Sequence, residues 1–95
     1  MRVKVIIKRS INEEMSEFLA PLLEELRNHA IRQPGYISGE TLKCVDGLAE
    51  IMVIGTWNSI DDWKRWFSSQ ERTDIQTKID TLLGKETQYQ IYTTE

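Results

Sequence analysis

The sequence predicts an α+β fold of the ferredoxin-like type, with the element order βαββαβ and a four-stranded antiparallel sheet. Three observations support this fold: alternating apolar residues in the first and last segments, two amphipathic helical stretches, and an Asp46-Gly47 pair between two β-rich runs. Right-handed crossovers in both halves place the first and third strands in the middle of the sheet, with the helices on one face. Residues 1–95 are expected to form one domain, because chains this short rarely divide into two cores.

Four segments have the residue patterns of strands. Apolar and polar residues alternate in the first segment, residues 2–8, and in the last, residues 87–94. Residues 36–45 and 49–57 flank the Asp46-Gly47 pair and should form a hairpin, because a type I′ turn needs residues that tolerate positive φ. An unbroken apolar run in the third segment indicates a strand buried on both faces: Ile51, Met52, Val53 and Ile54.

The first helix is expected from about residue 12 to about residue 32. Ser10 and Glu13 form a capping-box pattern at its start, and apolar residues follow at helical spacing. Pro21 lies inside this stretch, where it removes a backbone donor and crowds the preceding turn. A kink or a fresh helical start is therefore expected near Leu19.

The second helical region is expected to begin at Ser59 and to end at Gly84. Ser59 is a typical N-cap residue, and two aspartates follow in the first turn, where their charge complements the helix dipole. Ser68 and Ser69 should interrupt the region and divide it into two helical pieces. Gly84 is suited to the left-handed position that closes a helix.

The sheet face without helices is expected to be covered by a second copy of the chain. Either Met52 and Ile54 or the alternate residues of the same strand must lie on that face, and both sets are too apolar for comfortable exposure to water. The prediction is a homodimer that packs sheet against sheet. A cavity for a flat apolar ligand would remain between the sheets if small residues leave room, at Gly39, Ala49 and Gly55. The alternative is a dry interface without a pocket.

Composition excludes several classes of function. The chain has 12 Lys and Arg against 15 Asp and Glu, a net charge of −3, which disfavours nucleic-acid binding. No apolar run is long enough to span a membrane, and the N-terminus lacks a signal-peptide pattern, so a cytoplasmic location is expected. One cysteine and one histidine argue against an internal disulfide and a His-rich metal site. Glycine-rich phosphate loops are also missing, so neither a metal nor a nucleotide cofactor is expected.

The two unique residues, His29 and Cys44, each have a functional and a structural interpretation. His29 lies near the edge of the apolar stripe of the first helix, where it could reach a cavity as a proton shuttle or pack as a half-buried side chain. Cys44 is a thiol beside Lys43, whose positive charge would favour a reactive role. Without a second cysteine, a plain strand residue is the favoured interpretation of Cys44.

Two further groups of residues are suited to binding a small aromatic molecule. Tyr36, Ser38 and Glu40 are expected to share one face of the second strand, where they would orient a hydroxylated ligand or form a solvated edge. An indole that points into a cavity would stack on a planar ligand and donate its N–H. The chain has three tryptophans close together in sequence: Trp57, Trp63 and Trp66.

Three segments of the chain resemble the antibiotic biosynthesis monooxygenase domain: residues 33–42, 53–57 and 62–66. The resemblance implies a ferredoxin-like fold that pairs as a dimeric α/β barrel. Members of this family include small oxygenases that act on polyphenols or quinols without metal, flavin or haem. This chemistry is possible because an electron-rich phenolate can itself pass an electron to oxygen, so the protein need only deprotonate, orient and desolvate the substrate.

Haem-degrading enzymes form another branch of the same family. They typically carry an Asn on the first strand, a Trp on the second helix and a His shortly after that Trp. Here Trp66 matches the Trp, Gln76 stands in place of the His, and Ile7 or Lys8 stands in place of the Asn. Because the residue that binds the haem iron is replaced, haem degradation is disfavoured.

The sequence therefore predicts a homodimeric, cofactor-independent monooxygenase acting on an aromatic or quinone-like small molecule. Trp66 should form one wall of the pocket and stack on the substrate. The alternative is a non-catalytic module that keeps the dimeric fold and sequesters a small ligand, since a fold does not determine a function. The candidate catalytic residues are His29, Trp66 and Glu40, and the candidate substrate-binding residues are Tyr36, Ser38, Trp57 and Trp66.

Overall fold

The computed structural model describes residues 1–46 and 49–93. Within these residues the strands form a single antiparallel sheet in the order β2-β3-β1-β4, which confirms the ferredoxin-like α+β fold and its two predicted central strands. The elements follow one another as β1 (Val3–Ser10), α1 (Ser16–Ala30), β2 (Tyr36–Lys43), β3 (Glu50–Trp57), α2 (Ile60–Phe67), α3 (Gln70–Leu83) and β4 (Gln88–Thr93).

The hairpin of β2 and β3 is present as predicted. The two strands pair antiparallel from Tyr36 opposite Trp57 to Lys43 opposite Ile51. Its turn was expected at Asp46-Gly47, and residue 47 lies outside the described part of the chain.

The apolar core lies entirely on the helix side of the sheet. Alternate residues of β1 and β3 point toward the helices, because side chains along a strand alternate between its two faces. One buried cluster joins the sheet to α2, and its members are Val3, Val5, Trp57, Trp63 and Trp66. A second cluster holds α1 against α3, and its members are Leu19, Ile75, Ile79 and Leu83.

The start of the first helix differs from the prediction. Ser10 is still part of β1, where it pairs with Glu50, so it is not free to cap a helix. Asn12 takes that role instead, and its Oδ1 accepts a hydrogen bond of 3.0 Å from the Glu14 amide at the start of a short 3-10 turn. The expected capping box at Ser10 and Glu13 is therefore wrong.

Of the two outcomes expected near Leu19, a kink or a fresh helical start, the fresh start is wrong. α1 runs unbroken from Ser16 to Ala30 with Pro21 inside it. Pro21 and Glu17, whose carbonyl loses its helical donor, are both exposed, so water can satisfy that carbonyl. The buried contacts of Leu19 hold the helix in place across the missing hydrogen bond.

The second helical region matches the prediction. The Ser59 hydroxyl accepts a hydrogen bond of 3.1 Å from the Asp62 amide and so caps α2. The helical region is interrupted at Ser68 and Ser69, and the Ser69 side chain caps α3. Gly84 has the left-handed backbone, φ +64°, that closes α3. None of the described helices combines the length and the apolar character that crossing a membrane requires.

Candidate functional site

A cavity of about 370 Å³ lies between the helix side of the sheet and the helices α1 and α2. This volume is within the range of pockets that hold small organic ligands. Its floor is formed by β1, β2 and β3, and apolar side chains make up most of its surface. The apolar lining residues include Ile7, Leu26, Val53, Trp57, Trp63 and Trp66.

Two paired glycines make room for this cavity. Gly39 of β2 lies opposite Gly55 of β3, and both contribute to the cavity floor. They were expected to leave space on the uncovered face of the sheet, and that expectation is wrong because Gly55 shares its face with the buried Trp57. The cavity therefore lies inside one copy of the chain, on the helix side. Ala49 precedes β3 and does not contribute to it.

The side chains of Tyr36 and Trp57 lie over the two glycines. A Cβ atom on Gly39 would come within 2.5 Å of the Tyr36 hydroxyl oxygen, and one on Gly55 within 3.4 Å of the Trp57 indole nitrogen. The Tyr36 and Trp57 rings meet edge to face at 5.4 Å between centroids. Within the part of the chain that the structure describes, neither this hydroxyl nor this indole N–H is hydrogen-bonded to another protein group, so both are available to a ligand.

All three tryptophans of the chain contribute to the cavity wall. Trp63 and Trp66 are one helical turn apart on the buried face of α2, and Trp66 is only 4% exposed. Trp57 contacts Trp63 at 5.7 Å between ring centroids. The structure thus brings together the predicted ligand-contacting residues Tyr36, Trp57 and Trp66, and it adds Trp63.

Tyr36, Ser38 and Glu40 do not share one face of β2, and this expectation is corrected. The pairing register shifts between Tyr36 and Ser38, so that Tyr36 lies opposite Trp57 and Ser38 opposite Thr56. Neighbouring residues of a strand face opposite ways, so this bulge turns Ser38 away from the cavity. Glu40 belongs to the cavity wall, although its partner Ile54 lies on the uncovered face.

His29 and Cys44 both lie outside the cavity. The Nδ1 atom of His29 is 3.3 Å from the Glu71 carboxylate, and this side chain is 36% exposed at the edge between α1 and α3. Cys44 follows β2 as a free, half-buried thiol. Among the described residues no cluster of three or more His, Cys, Asp and Glu side chains could hold a metal ion.

Arg9 is a cavity residue that the sequence analysis did not single out. It is only 2% exposed, and it occupies the cavity end of β1 opposite Ile51. The guanidinium Nη2 donates a hydrogen bond of 3.1 Å to Gln76 Oε1. The sequence pattern does indicate that Arg9 is buried. Arg9 continues the every-second-residue pattern of Val3, Val5 and Ile7, and these residues share the buried face of β1.

Burial lowers the pKa of the Arg9 guanidinium. The charge of Arg72 adds to this effect, whereas Tyr89 and Asp80 act in the opposite direction. The ordinary pKa of arginine lies so far above neutrality that the group keeps its positive charge. The cavity therefore contains a buried cation at one end.

A second, polar pocket of about 380 Å³ lies between α3 and β4. Gln76 belongs to this pocket, where its amide donates hydrogen bonds of 2.8 Å to Asp80 and 3.2 Å to Thr87. Gln76 does not belong to the aromatic cavity. Gln76, which stands in place of the His of the haem-degrading enzymes, is thus part of a buried hydrogen-bond network.

Residues 2–78 match the family model described as antibiotic biosynthesis monooxygenase. The fold is similar to that of a conserved protein from Methanosarcina mazei Go1, with a TM-score of 0.90 at 17% identity over 100% of this chain and 94% of that one. A variant of SnoaB, a cofactor-independent oxygenase from Streptomyces nogalater, has a TM-score of 0.84 at 17% identity over 98% of this chain and 92% of its own. Rv0793 from Mycobacterium tuberculosis has a TM-score of 0.87 at 16% identity, with coverages of 100% and 96%. No curated protein sequence matches the chain at a significant level.

Proposed function

Because the chain belongs to the antibiotic biosynthesis monooxygenase family, we propose that it is a cofactor-independent monooxygenase that oxidises an aromatic or quinone-like small molecule. The observation that carries the proposal is the cavity between sheet and helices, whose wall contains every tryptophan of the chain together with Tyr36. Indole rings offer flat apolar surfaces on which a planar ring system can stack. The likeness of the fold to the oxygenase SnoaB is consistent with this assignment.

The proposed reaction needs no external reductant. A quinol such as naphthohydroquinone and one O₂ molecule give a hydroxyquinone and one water molecule. One oxygen atom forms the new C–O bond, the other leaves as water, and all four electrons come from the quinol. The protein therefore has three tasks: to favour the electron-rich phenolate, to hold it in one orientation, and to keep water away from the two radicals that form when the phenolate passes an electron to oxygen.

The cavity residues are suited to these tasks. Trp66 would stack on the substrate ring, while the Tyr36 hydroxyl and the Trp57 N–H would donate hydrogen bonds to a substrate oxygen. Glu40 contributes to the wall, but its place opposite Ile54 directs its side chain to the uncovered face, so the carboxylate has no role in this proposal. His29 and Ser38, which lie outside the cavity, have no role in this proposal.

The test is oxygen uptake with naphthohydroquinone, corrected for uncatalysed oxidation, followed by mass spectrometry of the product formed under ¹⁸O₂. We expect enzyme-dependent uptake and one labelled oxygen atom per hydroxyquinone. Saturable binding of the quinol without uptake would instead support the alternative, a non-catalytic module that sequesters a small aromatic ligand. Uptake that yields hydrogen peroxide and unlabelled quinone would contradict monooxygenation.

We also propose that the protein is a homodimer through the uncovered sheet face. Side chains from three adjacent strands form an apolar patch in the middle of this face, with Lys4 and Lys8 at its edge. Leu42 is 36% exposed in the single chain, and its neighbours across the strands are half-buried. A second copy would remove this patch from water, as in the dimeric barrel implied by the family resemblance. The patch consists of Ile6, Leu42, Met52 and Ile54.

A further inference from the structure

The guanidinium of Arg9 is a buried charge with an incomplete set of partners. Of its five N–H groups, the structure pairs one with a protein acceptor, Gln76 Oε1, and the Nε atom is buried without a partner among the described residues. The ion pairs found in this part of the chain are His29 with Glu71 and Arg65 with Asp62, so no carboxylate lies within ion-pair distance of Arg9. Burying a charge in this way is costly unless something else compensates it.

The other buried arginine, Arg72, has more protein partners than Arg9. Arg72 donates to the Phe67 carbonyl at 3.0 Å and to the Tyr89 hydroxyl, and its guanidinium stacks at 4.0 Å over the Phe67 ring. Arg72 also lies outside the aromatic cavity. Arg9, in contrast, belongs to the cavity, has one protein acceptor, and buries its Nε atom without a partner among the described residues.

The remaining charged residues of the cavity wall are exposed. They are Glu24 and Arg27 on α1 and Glu40 on β2. Water and salt screen such groups, so their charges act weakly on a bound molecule. Arg9 is therefore the buried charge of the cavity wall, and Asp80, which acts on it from beyond ion-pair distance, offsets that charge only in part.

From these contacts we infer that Arg9 binds an anionic oxygen, a carboxylate or an enolate, on the ligand of the aromatic cavity. The inference rests on the proposed function only in assuming that the cavity holds an aromatic ligand. The body of that ligand would lie over Ile7 and Val53, between Arg9 at one end and Trp57 at the other. Arg9 lies opposite Ile51, and Trp57 reaches back over Gly55, so the two ends are separated by four residues of β3, roughly 13 Å of strand. A fused-ring body that carries an acidic group at one end fits this arrangement.

The experiment is isothermal titration calorimetry with two pairs of probes that differ in charge. One pair is 2-naphthoate and 2-naphthamide, which tests a carboxylate, and the other is hydroxynaphthoquinone, an enolate at neutral pH, and its uncharged methyl ether. We expect the anion of at least one pair to bind about 10- to 100-fold more tightly than its neutral partner, as for a charge-assisted hydrogen bond. The pair that shows the preference identifies the source of the anionic oxygen.

Variants at two positions assign the preference to a residue. Arg9→Met should remove the preference for the anion while the neutral probe binds as before. Arg9→Lys keeps a positive charge and should keep part of the preference. The Lys variant also provides a test if Arg9→Met fails to fold. Arg27→Met, which removes the exposed cation of the same cavity, should change the anion affinity less than about 3-fold. Equal binding of anion and neutral probe, loss of the preference in Arg27→Met instead of Arg9→Met, or binding of no probe would overturn the inference.

This measurement is independent of turnover. If the anion preference depends on Arg9 while naphthohydroquinone causes no oxygen uptake, the monooxygenase proposal fails and the anion site stands. If uptake occurs and the preference is absent, the monooxygenase proposal stands and the anion site fails.

Discussion

Gly39 and Gly55 face each other across β2 and β3 on the floor of the aromatic cavity. The hydroxyl of Tyr36 occupies the space in which a Gly39 side chain would lie, and the indole N–H of Trp57 lies beside the corresponding space at Gly55. The two glycines thus set where the polar atoms of two aromatic side chains enter the cavity.

A methyl group at position 39 should displace Tyr36. The Cβ atom of Gly39→Ala would meet the Tyr36 hydroxyl at 2.5 Å, so the ring must shift against Trp57. Overpacking of this kind costs about 1–3 kcal/mol, and the lost flexibility of glycine offsets up to about 1 kcal/mol. We expect a net loss of about 1–2 kcal/mol in the free energy of unfolding, measured by urea denaturation.

The control for this prediction is the double variant Gly39→Ala with Tyr36→Phe. It removes the hydroxyl that collides with the new methyl group, so it should be more stable than the sum of the two single effects predicts. Additive effects would show that the collision is not the cause. Gly55→Ala, whose Cβ would make an ordinary contact of 3.4 Å, should change stability by less than about 1 kcal/mol.

Trp66→Phe should weaken the binding of naphthohydroquinone. Trp66 is buried in the cavity wall, and a smaller ring offers less surface to stack on and no N–H. We expect affinity and turnover to fall about 5- to 10-fold, in line with a stacking contribution of about 1 kcal/mol. Phe67→Leu is the control, because it removes an aromatic ring from the same helix but outside the cavity. It should leave the affinity for naphthohydroquinone unchanged. Unchanged binding in Trp66→Phe would mean that the ligand site has been wrongly assigned.

Gln76→Leu should destabilise the fold strongly. The change leaves the buried Arg9 without its acceptor and removes the amide donor to Asp80 and Thr87. Leaving a buried charge unpaired costs about 3–5 kcal/mol, and we expect a loss of that order in chemical denaturation.

The double variant Arg9→Met with Gln76→Leu should recover more than half of that loss, because two apolar residues of similar volume replace the broken pair. A double variant less stable than Gln76→Leu alone would contradict this coupling. Because the double variant lacks Arg9, the recovered stability should come without any preference for anionic probes.

Ile54→Lys should convert the proposed dimer into a monomer. Ile54 lies in the middle of the uncovered face, between Ile6 and Glu40, and a lysine there would have to be desolvated in a sheet-to-sheet interface, a cost that pairing with Glu40 would not repay. Sedimentation velocity at micromolar concentration should show a dimer for the native chain and a monomer for the variant. Asn28→Lys, on the exposed side of α1, serves as the matched control and should remain dimeric. A native chain that sediments as a monomer would refute the dimer outright.

Ser59→Ala should loosen the helix that carries Trp63 and Trp66. The Ser59 hydroxyl accepts from the Asp62 amide at 3.1 Å and donates to its carboxylate at 2.8 Å. Loss of an N-cap of this kind costs about 1 kcal/mol, which thermal unfolding would detect. Ser59→Thr keeps the capping oxygen and should stay within about 0.5 kcal/mol of the native chain, whereas an equal loss in both variants would argue against capping as the cause.

Local features of the sequence determined the elements and their order. The ends of α2 and α3 depend on interactions within one helical turn, so they could be predicted residue by residue. They are the N-cap at Ser59, the interruption at Ser68 and Ser69, and the C-terminal glycine at Gly84. The predicted strand order also holds, because crossover handedness leaves few ways to connect these elements. Pro21 shows the limit of such local rules, since propensity alone left a kink or a restart open, and packing at Leu19 keeps α1 unbroken.

Only the tertiary structure decided which side chains meet in the cavity. The bulge between Tyr36 and Ser38 reverses the faces of β2, and a shift of one residue leaves no clear trace in an alternating pattern. The cavity lies on the helix side because Gly39 and Gly55 pair across two strands, a contact between residues well separated in the chain. Arg9 follows the local alternation, but its hydrogen-bond acceptor is Gln76 of α3, which lies far from Arg9 in the sequence. Sequence periodicity thus determines which way a residue faces where the strand is regular, as at Arg9, whereas bulges and long-range packing determine the other orientations and what each residue contacts.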